Sequence, residues 1–148
     1  MSVKNRIAAC AAAAVFASVS SSAIAQDHPY SEGVVVNVTR VRTVDGHFDD
    51  YMKWLSTEWK KQEETAKKLG HIVSYEVLSV EPRTPEDADL LLVVRSKNWA
   101  ALDGALAKGD ELTKQLGQTS VQANKEQADR AKIRTILGSS TMQVLELK

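Results

Sequence analysis

The sequence predicts a secretory leader followed by one α+β domain with the ferredoxin-like chain order β-α-β-β-α-β. Three observations predict this fold class. Short segments rich in β-branched residues indicate four strands, and two longer segments carry apolar residues at helical spacing. About 120 residues remain behind the leader, enough for a single core. We therefore expect a four-stranded antiparallel sheet with both main helices packed on one of its faces.

Residues 1–25 have the three parts of a secretory signal peptide. Lys4 and Arg6 form a positively charged start, and the apolar run at 7–19 suits a signal peptide but is too short to span a bilayer. The segment ends in Ala-Ile-Ala, the small-x-small pattern that signal peptidase accepts, which predicts cleavage after Ala25. The mature product is therefore expected in the periplasm or outside the cell.

The single cysteine, Cys10, belongs to the leader. Residues 7–10 resemble a lipobox, but most of the apolar stretch follows the cysteine, so we favour cleavage after Ala25 over lipidation. A mature chain without cysteine has no disulfide, no thiol nucleophile and no cysteine-based zinc site. Its net charge is 17 − 19 = −2 once the two basic residues of the leader are removed. A nearly neutral surface argues against nucleic-acid binding, and no later apolar run approaches membrane-spanning length.

The first half of the domain is predicted as strand, helix and strand at residues 34–42, 46–69 and 71–80. Alternating β-branched residues indicate the first strand, which opens a domain at 34–148 after a polar, flexible lead-in at 26–33. The helix has an apolar stripe, with Asp45 as its N-cap and Gly70 as the glycine that ends it. The segment after Gly70 alternates again, which indicates the second strand.

The second half is predicted as a loop, a strand, two helices and a strand at residues 81–89, 90–94, 98–116, 119–132 and 134–147. Two prolines indicate the loop, and the continuous apolar run after it is typical of an inner strand. Gly104 weakens the middle of the first of these helices, which carries Trp99 and Leu106 on its apolar stripe. Thr119 begins a capping-box pattern at the second helix, and Gly138 predicts a bulge in the last strand.

Two helices cover only one face of a four-stranded sheet, and the strand patterns predict which side chains they cover. The covered face is predicted to carry Val34, Val36, Val38, Val73, Tyr75 and Val77. The open face is predicted to carry Asn37, Thr39, Val41, Ile72, Ser74, Glu76 and Leu78. Because this open face is half apolar, it suits a homodimer that encloses a cavity between two sheets better than it suits water.

The chain resembles the dimeric α+β barrel superfamily over nearly all of its mature length. The resemblance is carried by the strand at 34–42, by the long helix with Tyr51, Trp54 and Trp59, and by the segment Arg95-Ser96-Lys97-Asn98-Trp99 before the second helix. The superfamily includes cofactor-free quinone-forming monooxygenases, haem-degrading monooxygenases, small lyases and many members without an assigned activity. The resemblance implies a homodimer with a small molecule between its sheets, and fold alone does not choose the chemistry.

Asn37 matches the position of an asparagine that the haem-degrading branch places on its first strand, beside the substrate. That branch also uses a histidine on its second helix as a haem ligand, and the predicted helix at 98–116 contains none. We therefore expect no cofactor, and no cluster of metal-ligating residues in the sequence indicates a metal site. A polar residue hydrogen-bonded inside a dimer interface is the favoured interpretation of Asn37.

The candidate ligand-pocket residues are Asn37, Thr39, Trp54, Ser74 and Glu76. A carboxylate in an enclosed, partly apolar cavity can act as a general base towards a phenol or enol, and Glu76 is the candidate for this role. We favour the other interpretation, in which Glu76 forms an ion pair with a nearby arginine. His47 and His71 lie at element ends and are predicted to be solvated, as are the neighbours Glu63 and Glu64.

The favoured functional prediction is an exported homodimer that binds a small apolar or aromatic molecule. A cofactor-free monooxygenase with Asn37, Glu76 and Trp54 near its substrate is the first alternative. The second alternative is an envelope protein whose charged helix faces dock another protein.

Overall fold

The computed structural model describes residues 27–148, so the predicted leader, with Cys10, lies outside the described residues. The four strands are β1 (Tyr30–Thr43), β2 (Ser74–Ser79), β3 (Leu90–Ser96) and β4 (Arg134–Leu147). They form one sheet in the order β2-β3-β1-β4, and every neighbouring pair is antiparallel. The predicted fold class is confirmed, because the elements follow the ferredoxin-like order β-α-β-β-α-β, with one additional helix before the last strand.

The helices lie together on one face of this sheet. Helix α1 has three consecutive parts, which are Phe48–Trp54, the π-helical turn Leu55–Trp59, and Lys60–Lys68. The later helical elements are the 3₁₀ turn Trp99–Leu102, helix α2 (Ala105–Gln115) and helix α3 (Ser120–Arg130). Within residues 27–148, no helix combines the length and the apolar character needed to cross a membrane.

The core lies between α1 and the centre of the sheet. Its buried members are Val41, Tyr51, Leu55, Trp59, Leu90 and Leu92. Trp59 also meets Tyr75 of β2 edge-on, with ring centres 5.3 Å apart. Burying a large apolar side chain stabilises a fold by roughly 1.5–3 kcal/mol before entropy is counted, so this cluster positions α1 firmly on the sheet.

The π-helical turn keeps the apolar side chains of α1 on one face. Tyr51, Leu55 and Trp59 are four residues apart, and each such step drifts by about 40° around an ideal α-helix. The wider turn reduces this drift, since the N–H of Lys60 donates to the carbonyl of Leu55, five residues earlier. Two hydroxyl groups of the turn donate to the carbonyl of Lys53. As a result, the buried stripe continues past Trp59 into the last turns of α1.

The two ends of α1 differ in how well local signals predict them. The prediction that Asp45 caps the helix is wrong, because the chain first makes a tight turn in which the N–H of His47 donates to the carbonyl of Val44 at 2.8 Å. Gly46 takes φ = 81° in that turn, and His47 becomes the residue before the helix. Gly70 ends the helix as predicted, with φ = 75°.

The predicted helix at 98–116 is divided in two at Gly104. This glycine has φ = 69°, so the chain changes direction between the 3₁₀ turn and α2. Trp99 and Leu106 are 48% and 82% exposed, so the prediction that they lie on a buried stripe is wrong. The capping box that starts at Thr119 is present at the beginning of α3, as predicted.

Strands β1 and β4 form a long ribbon that reaches both ends of the domain. Tyr30 pairs with Leu147, so residues 30–33, which the sequence places in a flexible lead-in, belong to the sheet. The predicted bulge in the last strand is confirmed. The register between the two strands shifts beside Gly138, which has φ = 134°, a conformation that favours glycine.

The covered face of β1 is the opposite of the predicted one. Asn37, Thr39 and Val41 pair with the three β3 residues that lie towards α1, and Val41 itself belongs to the core. These side chains therefore face the helices, while Val36 and Val38 face away from them. Alternation shows which residues share a face of a strand, but it does not show which face is covered when valines stand on both.

Within β2 the predicted facing is confirmed, but it is wrong for the two residues before the strand, since Val73 is 48% exposed and Ile72 lies on the side of the helices. Tyr75 and Val77 pack against the core under α1. Because successive side chains of a strand point to opposite faces, Ser74, Glu76 and Leu78 lie on the open face.

Candidate functional site

A cleft of about 420 Å³ lies between the covered face of the sheet and the helical layer. Strands β1, β3 and β4 form its floor, and its walls come from α1, the segment before β2, the 3₁₀ turn and α2. Its lining residues are Asn37, Glu63, His71, Ile72, Val94, Ser96, Ala101, Leu102, Ala105, Lys108 and Thr141. Most of this surface is apolar and a few polar groups converge on it, as is typical of sites for small molecules.

A second cavity of about 410 Å³ borders the loop between β2 and β3. Its lining includes Arg42, Asp87 and Asp89. The two carboxylates already hold the backbone, since Asp89 accepts from the N–H of Thr43 and Asp87 from the N–H of Thr84, both at 3.1 Å. These groups anchor the loop, so the cleft over the sheet is the better candidate.

A row of hydrogen-bonding side chains runs along β1 and β4, beginning in the cleft. Asn37 Nδ2 donates to Thr141 Oγ1 at 2.9 Å, and the hydroxyl groups of Thr39 and Ser139 lie 2.9 Å apart. Thr39 also contacts the carbonyl oxygen of the Asn37 amide at 3.4 Å. Among residues 27–148, Asn37 uses one of its two side-chain N–H donors, which leaves the other for a molecule in the cleft.

Glu63 is the acidic group of the cleft. It lies four residues after Trp59 and three before Ala66, both buried, so the stripe of α1 brings its side chain to the cleft wall. Burial penalises the charged form and raises the pKa of Glu63 from 4.5 to about 7. Within the described part of the chain, its carboxylate has no ion-pair partner. Glu63 therefore changes its charge near neutral pH.

Two nitrogen-bearing side chains, His71 and Lys108, also line the cleft. His71 Nε2 lies 3.0 Å from Glu111 Oε2 of α2, and the His71 side chain is 15% exposed. Lys108 Nζ donates to the carbonyl of Ala101 at 2.6 Å, which connects α2 to the 3₁₀ turn. Because α2 contributes no buried residue, these polar contacts are important for holding it over the cleft.

The structure separates the five predicted pocket residues. Asn37 lines the cleft, and Thr39 lies beside it in the same hydrogen-bonded row. Ser74 and Glu76 lie on the opposite face of the sheet. The prediction that Asn37 and Glu76 converge in one cavity is therefore wrong, for the same reason that the covered face of β1 was misassigned.

Glu76 and Trp54 have structural partners outside the cleft. Arg95 Nη2 lies 2.7 Å from Glu76 Oε1, which confirms the ion pair that was favoured over a catalytic role. Trp54 stacks on Tyr51 with ring centres 5.6 Å apart, and the guanidinium of Arg130 covers it at 4.2 Å. This stack attaches α3 to α1 beside a separate cavity of about 210 Å³.

Sequence reasoning missed Glu63, His71 and Lys108. A signal for Glu63 is its helical spacing from Trp59 and Ala66, which places a carboxyl on an otherwise buried stripe. His71 directly follows the glycine that ends α1 and is partly buried there. No local signal identifies Lys108, because its position depends on how α2 turns back after the break in the helix.

No protein-family model matches the chain, and no curated protein matches it in a sequence comparison. Among solved structures, the chain is similar to the crystal structure of HapK from Hahella chejuensis, with 16% identity and a TM-score of 0.48. The match covers 73% of this chain and 90% of the HapK chain. A similarity at this level says nothing about the chemistry of the cleft.

Proposed function

We propose that the protein is an exported homodimer that binds a small, mostly apolar or aromatic molecule in the cleft over its sheet. The observation that carries this proposal is the composition of the cleft, in which apolar walls surround a few polar groups such as Asn37 and Glu63. Its volume of about 420 Å³ lies within the usual range of ligand sites. The proposed site thus lies between sheet and helices, and not between two sheets.

The polar groups of the cleft define what such a molecule carries. Asn37 and Lys108 supply hydrogen-bond donors, and ionised Glu63 supplies an acceptor. The apolar walls come from Ile72, Val94, Leu102 and two alanines. A ligand with an apolar body and at least one carbonyl or hydroxyl oxygen satisfies both kinds of surface.

The test is native mass spectrometry of the chain, expressed in full length in its own host and recovered gently. We expect an extra mass that is released when the protein unfolds. Ala101→Phe places a ring in the cleft wall and should abolish the extra mass, whereas Ala100→Phe, on the exposed neighbouring residue, should keep it. Retention of the molecule by the Ala101 variant would place the ligand elsewhere and contradict the proposal.

The open face of the sheet supports the proposed homodimer. Val36 and Val38 lie there, and Leu78 and Met142 on the same face are 43% and 48% exposed. The apolar part of this face, which lies beside the ion pair of Glu76 and Arg95, is well suited to contact with a second copy. We expect a mass of two chains for the wild type, and of one chain for Val38→Glu, with the cleft still able to bind. A wild type that sediments as a monomer would contradict the homodimer.

Export is tested by the mass of the purified product. We expect a mature chain that begins at Gln26, after cleavage at Ala25. A product that retains residues 1–25, or one that carries lipid on Cys10, would contradict the proposed processing. The alternative that charged helix faces dock another envelope protein stays a prediction.

A further inference from the structure

We propose that the cleft is a proton-transfer site in which Glu63 removes a proton from the carbon beside the carbonyl group of a small aryl ketone. This activity rests on the proposed binding function, because the ketone must first occupy the cleft. Three observations support it. Glu63 lies in an apolar wall, hydrogen-bond donors line the same cleft, and neighbouring carboxylates already have structural partners.

Other carboxylates near the sheet have structural partners, which sets Glu63 apart. Glu64, the next residue, accepts a hydrogen bond from the hydroxyl of Tyr75 at 2.7 Å. Glu76 lies 2.7 Å from Arg95 on the open face. Among residues 27–148, Glu63 has no such partner, although it lies on the buried stripe of α1. A carboxyl that weakens the fold and supports no contact is a candidate for a chemical role.

The charged groups around Glu63 come from two other elements. His71 precedes β2, and Lys108 and Glu111 belong to α2, whereas the sheet contributes neutral side chains such as that of Asn37. Burial, and not one of these charges, raises the pKa of Glu63 to about 7. A base with a pKa close to the working pH is available in its ionised form and still takes protons effectively.

The proton transfer needs no reactant other than the ketone and water. The carbon–hydrogen bond of the ketone breaks and its proton moves to the carboxylate of Glu63. The electron pair forms the carbon–carbon double bond of an enolate, whose negative charge lies on the former carbonyl oxygen. The side-chain donors of Asn37 and Lys108 can bind that oxygen more strongly as its charge develops. Glu63 exchanges its proton with water and returns one to the carbon.

The test follows the exchange of hydrogen for deuterium in acetophenone, propiophenone and 1-indanone. The chain is expressed in full length, purified and incubated with each ketone in buffered D₂O, and proton NMR measures both the exchange and the binding of the ketone. We expect exchange above the buffer rate, and a loss of about a hundredfold or more in Glu63→Gln. The wild-type rate should rise with pH around a midpoint near 7, and the variant should show no such rise.

The matched control is Glu64→Gln, which changes the neighbouring carboxylate outside the cleft and should exchange at the wild-type rate. Circular dichroism confirms that both variants are folded. Ketones that bind without exchange, or a Glu63→Gln variant as fast as the wild type, would overturn the proton transfer and leave the binding function intact. Failure of all three ketones to bind would also overturn the proton transfer. The binding function would still be tested independently, by whether native mass spectrometry finds a molecule bound to the protein.

Discussion

Replacing Glu63 with glutamine is expected to stabilise the protein at neutral pH. The folded state holds the proton of Glu63 more tightly than the unfolded state, because burial raises its pKa from 4.5 to about 7. Between these two pH values the folded state binds more protons, so the stability of the wild type falls as the pH rises. Below about pH 4 the group is protonated in both states, and this contribution is absent.

The size of the effect follows from the shift. The difference of about 2.5 pKa units corresponds to about 3.4 kcal/mol at most, since each unit is worth about 1.4 kcal/mol. Glu63 borders an open cleft, and water there reduces the penalty for its charge. We therefore expect Glu63→Gln to gain about 1–2 kcal/mol at pH 8, roughly 4–8 °C in melting temperature for a domain of this size.

Urea unfolding at several pH values between 4 and 8, followed by tryptophan fluorescence, measures this difference, because Trp59 lies in the core. Glu64→Gln is the control. The hydrogen bond from Tyr75 lowers the pKa of Glu64, so removal of that carboxylate gives no gain as the pH rises. A difference between the wild type and Glu63→Gln that stays constant from pH 4 to pH 8 would refute the buried ionisation.

Three further predictions concern the elements around the cleft. Arg130→Ala removes the guanidinium that covers Trp54 and should lower the free energy of unfolding by about 0.5–2 kcal/mol, as measured by urea unfolding. Amide exchange in α3 should become faster, and unchanged exchange there would contradict the proposed attachment of α3 to α1. Gly104→Ala forces a side chain onto a left-handed backbone with φ = 69° and should lower the free energy of unfolding by about 1 kcal/mol, as measured by thermal unfolding. A gain in stability would show that the chain between the 3₁₀ turn and α2 can adopt another conformation. Tyr75→Phe removes the hydrogen bond that lowers the pKa of Glu64, so an NMR titration should show this pKa rising towards its ordinary value; no change would mean that nearby lysines set it.

The element order was predictable because periodicity and caps report local environments. Gly70 ends α1, the capping box at Thr119 starts α3, and Gly138 marks a bulge in β4. Each of these signals depends only on residues that are neighbours along the chain. The break at Gly104 was not predicted in full, since a glycine weakens a helix without necessarily ending it. Leu106 continues the apolar spacing of that helix in sequence but not in space, because the break rotates α2 away from the core.

The candidate site was less predictable because it depends on contacts between distant elements. The spacing of Glu63 from Trp59 shows that Glu63 lies on the apolar stripe of α1, but a charged residue at the edge of such a stripe is usually solvated. Its partial burial arises from the π-helical turn and from α2, which closes the other side of the cleft. Neither feature has a sequence signal strong enough to place the carboxyl inside.

The facing of β1 connects the cleft with the proposed homodimer. This strand directs Asn37 and Thr39 towards its own helices and Val36 and Val38 away from them, which is the reverse of what a core under the helices needs. A polar floor under the helical layer is useful where a ligand binds, because each hydrogen-bonding group there can meet an oxygen of the ligand. Val36 is already buried within one chain, whereas Val38 is partly exposed and gains burial where a second sheet covers it. The same alternation therefore supports both proposals, and Val38→Glu separates them, because it changes the open face and leaves the floor of the cleft unaltered.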